Sequence, residues 1–409
     1  MTVKTPTEHA PYAVDTAAAI ARARRAAIAD RYAIDSFTVE WRPFSELEAI
    51  ADQWGELAAR ALVANVFYEP AFALAAARVF GRDAGAMLVW SGTSPRKLLG
   101  FFPGRVSTRR YGLRLPVLVG WTHPYAPLGT PLIEREAAEP VIAAWLGHLA
   151  ANARLPGLLL LPFVPEDGPF AVALAAILRR AQMPAADFNR HARALLEPHG
   201  DRSAYVEHAL GARKYRELRR TVRRLAECGA LMFTVASEPT AVAAALEDFL
   251  ALEAGGWKGQ AGTAAACDAD ISGFVKEAVM ALAREQKAAI HRILLDGCPA
   301  AAAITLRSGD HAWFWKIAYD EALARYAPGV ILTASVTEQL AEDVTIARSD
   351  SCATADHAVM NRTWSERMAL GDVLIAVRPQ VPFARAQRLE RMHGAAIAAA
   401  KRIRGLLER

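Results

Sequence analysis

The residues best suited to chemistry gather late in the chain. Asp350, Ser351, Cys352, Asp356 and His357 lie within eight residues of one another, the densest polar cluster in the sequence. Asp350 or His357, if partly buried, could titrate near neutrality and take a proton from an incoming ammonium, directly or through water. Other readings stay open. Cys352 could be a nucleophile with His357 as its base, or Asp356 could simply cap a helix that starts near His357. Cys352, Asp356 and His357 lack a fourth ligand at a recognisable spacing, so no metal is expected.

Three further features lie just upstream. In His311–Tyr319 strict alternation would put Trp313, Trp315, Ile317 and Tyr319 on one face and Phe314, Lys316 and Ala318 on the other. Lys316 is then the odd residue among apolar neighbours, in a chain where only eight of 48 basic residues are Lys. An ammonium there could stabilise developing negative charge; the plain alternative is a Lys reaching solvent from a strand end. Next comes a helix from Pro328 whose first turn holds Gly329, Val330 and Ile331, with Arg325 and Tyr326 just upstream and no acid before Glu338. Such an N-terminus offers unpaired N–H groups and partial positive charge to a phosphate, and Gly removes bulk in its way. Finally, Glu253, Trp257 and Lys258 fall where a helix runs into a Gly-rich turn. Trp257 could stack on a sugar or cover an amine and Glu253 could pair with a cationic acceptor, or the turn could be a helix stop with a packing Trp.

The elements that must hold these groups form two similar series. From Ser36, periodicity gives a strand (37–41), helices (46–62 and 70–80), three strands (86–90, 97–106, 115–121), a helix (137–153), a strand (158–164) and a helix (170–181). The second series runs helix (212–228), strand (231–236), helices (239–254, 271–286), strands (289–295, 300–307, 311–319), helix (328–342), strand (345–350), helix (357–368) and strand (373–377). A repeat of about 170 residues indicates a duplicated α/β domain rather than a solenoid. The expected organisation is an N-terminal extension (1–35), a first domain (36–200), a second, catalytic domain (201–380) and a basic C-terminal helix (381–409).

Composition narrows the class. At 409 residues with 53% hydrophobic and 22% charged residues, the chain is globular and large enough for two cores. A net charge of +5 is mild beside a dedicated nucleic-acid binder, so nucleic acid is not the expected partner. Four scattered cysteines without C-x-x-C spacing fit a reducing cytoplasm. The longest uncharged stretch, 115–133, holds four prolines and cannot run as a membrane-spanning helix. The start of the chain is unlike a secretory signal: the first dozen residues read as loose and Val14–Tyr32 as an Ala/Arg helix. Local charge is more telling, since the helix from Ala212 carries seven cations (Arg213, Lys214, Arg216, Arg219, Arg220, Arg223, Arg224) against Glu217 and Glu227. That face could be merely solvated or could meet a cofactor phosphate, an acidic polysaccharide, anionic lipid or RNA.

The element order resembles the GNAT acyltransferase fold, and its duplication is similar to the tandem arrangement of FemABX aminoacyltransferases. Four stretches resemble the CelD type of GNAT acetyltransferase, associated with cellulose biosynthesis: LEAGGWKGQAGTA (252–264), HAWFWKIAYDEALARYAPGVIL (311–332), DSCATADHAVMNRTWSER (350–367) and KYRELRR (214–220). The resemblance implies a mixed α/β protein of tandem GNAT-like domains, each a central mixed sheet flanked by helices. It implies acetyl-CoA as co-substrate, with RYAPG (325–329) in the place of the R-x-x-G-x-G/A phosphate grip, one Gly short. It further implies a phenol, Tyr319 or Tyr326, to protonate the departing thiolate, an oxyanion-stabilising Lys at Lys316, and acceptor contacts from Glu253, Trp257, Lys258 and Trp313. The expected activity is acetyl transfer to an amine of a small molecule or glycan, by direct attack on the thioester. The alternatives are a tRNA-borne aminoacyl donor, or a non-catalytic accessory of polysaccharide biosynthesis. Peripheral attachment to a membrane or to a polysaccharide-synthesis complex is compatible with each. In the first half the matching helix opens with Glu134, Glu136 and Glu139, which would repel phosphate, so that half is expected to have lost the cofactor site.

Overall fold

A computed structural model describes residues 36–407; the expected N-terminal extension and its Ala/Arg helix lie outside the described residues. The first half supplies strands β1 (Phe37–Pro43), β2 (Ala84–Ser91), β3 (Leu98–Arg110), β4 (Leu113–Gly120), the two-residue β5 (Leu132–Ile133), β6 (Leu158–Pro165) and β7 (Ala185–Leu196). Its helices are α1 (Ala51–Ala59), α2 (Pro70–Phe80), α3 (Ala138–Ala151) and α4 (Pro169–Arg180). The second half supplies β8 (Leu231–Ala236), β9 (Ala288–Leu295), β10 (Cys298–Ser308), β11 (His311–Tyr319), β12 (Arg348–Asp350) and β13 (Glu366–Ala376). Around them lie α5 (Tyr205–Leu210), α6 (Ala212–Ala226), α7 (Pro239–Gly255), α8 (Trp257–Gln260), α9 (Ala269–Arg284), α10 (Pro328–Glu342), α11 (Ala358–Thr363) and a terminal α12 (Phe383–Leu407).

The two expected sheets are one. A single 13-stranded mixed sheet runs β1-β2-β3-β4-β6-β13-β7-β12-β11-β10-β9-β8, with β5 on β3. Exchanging β1–β4 with β8–β11, β6 with β12 and β7 with β13 returns the same order read from the other end. Pair types obey the same exchange: β4–β6 and β11–β12 are parallel, while β6–β13, β12–β7 and the central β13–β7 are antiparallel. This palindrome is the signature of a tandem duplication. Each half's last strand is inserted in the other half, so hydrogen bonding runs unbroken through the middle of the molecule.

Apolar faces explain the layers. On one side of the second half, α7 and α9 bury Val242, Phe249, Phe274 and Val279 against Ile304 and Leu306 of β10, continuous with Phe67 and Phe72 from the first half. On the other side, α10 buries Ile331, Leu332 and Val336 against Ala301, Ala303 and Phe314. Helix α10 begins at Pro328, as expected, because a Pro at N1 has its φ preset and lacks only an N–H that had no partner.

Local tertiary contacts moved several boundaries. The expected helix 46–62 is split into two short 3-10 turns and α1. The expected helix 357–368 ends at Thr363, because the buried Trp364 donates its indole N–H to Thr337 Oγ1 at 2.8 Å and turns the chain into β13. The strand expected from Thr345 starts at Arg348, since Thr345 is held in a turn by Asp343. The terminal basic segment is helical over Phe383–Leu407 and is anchored where buried Glu390 accepts from Arg110 (2.7 Å) and Tyr111 (2.7 Å) of the β3–β4 hairpin.

Candidate active site

The ladder between β10 and β11 is broken at one residue. Ile304 pairs with Lys316 and Thr305 with Phe314, leaving Trp315 unpaired in a bulge. A bulge re-aims the side chains beyond it and takes backbone groups out of the ladder. The expected alternation is therefore wrong: Trp313, Trp315 and Ala318 pack with α7 and α9, whereas Phe314, Ile317 and Tyr319 pack with α10. Lys316, carried to the α7 side, meets Glu253 there.

A cavity of about 540 Å³ opens beside the bulge, between α7–α8 and the first turn of α10. It brings together most of the expected site: Lys316, Tyr319, His357, Gly329, Val330 and the trio Glu253, Trp257 and Lys258 line it. Six of the expected residues stand away from it, Asp350 among them. Pro328 and Ile331 are buried and build the start of α10. Arg325 and Tyr326 precede that helix, the Arg325 guanidinium lying 4.7 Å from the Tyr326 ring centre. Trp313 is 1% exposed and packs edge-on against Phe67, so it is a core residue rather than an acceptor contact.

Asp350 is also off the cavity. Its carboxylate is ion-paired with Arg193, a side chain 2% exposed on β7 of the first half, and accepts the Cys352 N–H at 2.9 Å. Arg193 spends another N–H on the Pro127 carbonyl (2.8 Å). A carboxylate so engaged holds two halves together and is badly placed to collect a proton from an acceptor. His357 does line the cavity, but its Nδ1 accepts the Met360 N–H at 3.2 Å. His357, and not Asp356, is the cap of α11. With Nδ1 occupied as an acceptor, the neutral ring carries its proton on Nε2, which leaves no free lone pair for a general base. Burial, and then Asp350, push the Cys352 thiol far up despite Arg193, so it is no ready thiolate.

Glu253 is not left for a cationic acceptor. Its Oε1 takes both Lys316 Nζ and Lys258 Nζ at 3.0 Å, and its Oε2 accepts the Ala265 N–H at 2.9 Å. Burial works to raise this carboxyl, but Lys316, Lys258 and that N–H outweigh it and hold it below the usual range. The Lys316 ammonium is pulled the other way: burial lowers it, Glu253 only partly compensates, and Lys258 adds repulsion. Tyr125, from the first half, lays its ring 4.6 Å from Lys316 Nζ, and its carbonyl accepts the Trp315 indole N–H at 2.9 Å.

At the opposite wall α10 starts without a side-chain cap, from Ala327 in the left-handed conformation (φ 48°, ψ 50°). A Cβ on Gly329 would stand 2.9 Å from Tyr319 Cδ1, so the space above this N-terminus exists because residue 329 is Gly. The Tyr319 phenol is raised by burial and by Glu321, which keeps it protonated. Glu321 also lines the cavity and accepts the Trp257 N–H at 3.4 Å. Glu321 precedes the helix and Tyr125 and Arg193 come from the other half, so no local pattern around β11 and α10 signals any of the three.

The equivalent place in the first half, between β4, β6 and α3, is closed. Phe102 and Trp145 stack there at 4.0 Å, and only about 10 Å³ remains. Repulsion by Glu134 is not the cause: that buried carboxylate is neutralised by Arg60 and by Lys97 at 3.0 Å. Among the described residues no cluster of His, Cys, Asp or Glu is arranged to hold a metal ion, and no helix is long and apolar enough to cross a membrane.

Comparison with known proteins places this geometry. Residues 212–374 match the family described as Acetyltransferase (GNAT) domain, Acetyltransf_6. No curated protein matches the chain. Among solved structures, a C-terminal DUF2156 domain from Agrobacterium fabrum, provisionally described as belonging to a lysylphosphatidylglycerol synthetase, superposes with a TM-score of 0.53 at 12% identity, covering 86% of this chain and 96% of that one. FemX superposes with a TM-score of 0.53 at 10% identity, covering 79% and 95%. At such identities the likeness is one of fold.

Proposed function

We propose that this protein is an acyl-CoA-dependent N-acyltransferase, acetyl-CoA being the expected donor, with its chemistry in the second half and an amine of a small molecule or glycan as acceptor. One observation carries the reading. A single cavity joins the β11 bulge, with Lys316 and Tyr319, to the uncapped, glycine-bearing N-terminus of α10. The residues present suit the donor: the Gly329–Val330 turn would hold its pyrophosphate, with Arg325 and Tyr326 at the outer end. Bound there, acetyl-CoA supplies an activated thioester.

The chain's own groups then divide the work. Backbone N–H groups freed by the bulge, together with the Lys316 ammonium, stabilise the oxyanion as the amine attacks. Glu253 fixes the Lys316 side chain against its neighbour Lys258. Tyr319, a protonated phenol, gives its proton to the departing thiolate. Since Asp350 and His357 are otherwise engaged, Glu321 takes the proton from the acceptor ammonium, directly or through water. Trp257, 59% exposed at the rim, covers the acceptor. Because three of the CelD-like stretches contribute cavity walls, a glycan amine is the first acceptor class to try. The closed cleft of the first half leaves it to buttress the site through Tyr125.

Thermal-shift titration with acetyl-CoA tests the donor, and thiol release from acetyl-CoA across a panel of amines tests the reaction. Stabilisation of the native chain that is lost in Gly329→Glu is expected. Stabilisation by tRNA without any by acetyl-CoA would move the donor to an aminoacyl ester. Acetyl-CoA binding unaffected by Gly329→Glu would refute the placement.

A further inference from the structure

We propose that the face formed by α6 and β8 docks on the surface of an anionic lipid bilayer. The inference stands apart from the acyltransferase reading and uses none of its residues. Helix α6 packs inward through Tyr215, Leu218, Val222 and Leu225. At 100° per residue the opposite stripe holds the arginines Arg213, Arg216, Arg220, Arg223 and Arg224, with the exposed Glu217 at its margin and the Arg224 guanidinium 5.8 Å from the Tyr326 ring centre. All five are exposed, and among the described residues none stands within salt-bridge distance of a carboxylate.

Beside this stripe lies uncovered apolar surface. Strand β8 is the sheet's last strand, bonded on one side only, to β9. Leu231 packs in the same cluster as the inner face of α6, so by the two-residue period Phe233 and Val235 point to that side as well. They are 42% and 50% exposed, and Met232 on the other face is 57% exposed. Solvent-facing positions on an edge strand ordinarily carry polar or charged residues. Cations next to protruding apolar side chains match an anionic headgroup layer over hydrocarbon, where basic side chains meet phosphates and apolar ones enter the boundary. A nucleic acid would use the arginines and leave Phe233 and Val235 without a role.

Co-sedimentation of the full chain with vesicles tests this. Binding to equimolar phosphatidylglycerol and phosphatidylcholine, weakened by salt, is expected, with little binding to pure phosphatidylcholine. Arg216→Glu with Arg220→Glu and Arg223→Glu should lower the partition coefficient by roughly tenfold or more. Phe233→Ser with Val235→Ser should lower it several-fold while leaving its salt dependence in place. Thermal melting of each variant reports folding; because the substituted side chains are exposed, native-like melting is expected. Equal binding to both vesicle types, or unchanged binding of the two folded variants, would overturn the proposal. So would binding of RNA alone, or a dimer through β8 that no vesicle dissociates.

Discussion

At the scale of single residues, the site depends on charges made to share one carboxylate. Removing Glu253 leaves Lys316 and Lys258 facing each other without their common anion, so Glu253→Gln should push the Lys316 ammonium further down. Lys316 already lies below the ordinary lysine value of 10.5. Between its folded value and that ordinary one, the unfolded chain binds more protons than the folded one, so this group's contribution to stability rises with pH across that window. The oxyanion-stabilising charge is lost over the same window. The rate should therefore have an alkaline limb below 10.5 that moves to lower pH in Glu253→Gln and disappears from the accessible range in Lys316→Arg, read as kcat/KM against pH. A limb that stays put in both variants would separate Lys316 from the chemistry. Gly329 gives a second, steric prediction. In Gly329→Ala the new Cβ would meet the Tyr319 ring at 2.9 Å, so donor affinity should fall by roughly tenfold while Tm changes little. Adding Tyr319→Ala should restore donor binding in a thermal-shift titration without restoring turnover; failure to restore binding would mean that Gly329 acts otherwise.

At the scale of elements, what the sequence disclosed depended on how local the determining physics was. Helix α10 was legible to the residue because Pro328, the small Gly329 and a long apolar face are all written in its own stretch. Strand β7 was not: Ala185–Leu196 shows no clean alternation, holds polar residues at Asp187, Asn189, Arg190, His191 and Arg193 with Asn189 at φ 51°, and is buried mainly at its end, from Arg193 to Leu196. It becomes a strand because β13 and β12 offer edges on either side of it, and those edges come from residues more than 150 positions away. The bulge at Trp315 escaped for the same reason, being a mismatch between two strands. The candidate site was legible as residue types around β11 and α10, and mistaken where a partner from the first half had already taken the group, as Arg193 had taken Asp350. That buried pair makes a measurable claim. Arg193→Leu leaves a buried carboxylate uncompensated and should cost about 3–5 kcal/mol in denaturant unfolding, whereas Arg193→Leu with Asp350→Leu should recover a good part of it. Additive losses in the double-mutant cycle would show that the two groups are not coupled.

At the scale of the whole molecule, the exchanged strands decide whether the halves are separable. Residues 212–374, the extent of the family match, lack β7, so alone they would expose the edges of β13 and β12 and strand Asp350 without Arg193. The first half alone would keep β6 and β7 but lose β13 between them, opening a gap in its own sheet. Neither half closes its sheet, although each has apolar clusters of ordinary composition. The exposed stretch around Gly200, between β7 and α5, is where the chain can be cut without breaking a strand. Fragments 36–200 and 201–409 should therefore be insoluble or molten when expressed apart, with weak near-ultraviolet dichroism, and should copurify as a folded complex when expressed together. In the copurified complex, acetyl-CoA should raise the melting temperature as it does in the intact chain, because the cavity is restored only once Tyr125 and Arg193 are back against β11 and β12. A second half that folds and binds acetyl-CoA alone would instead make the first half dispensable to the site, and the exchange of strands a matter of stability only.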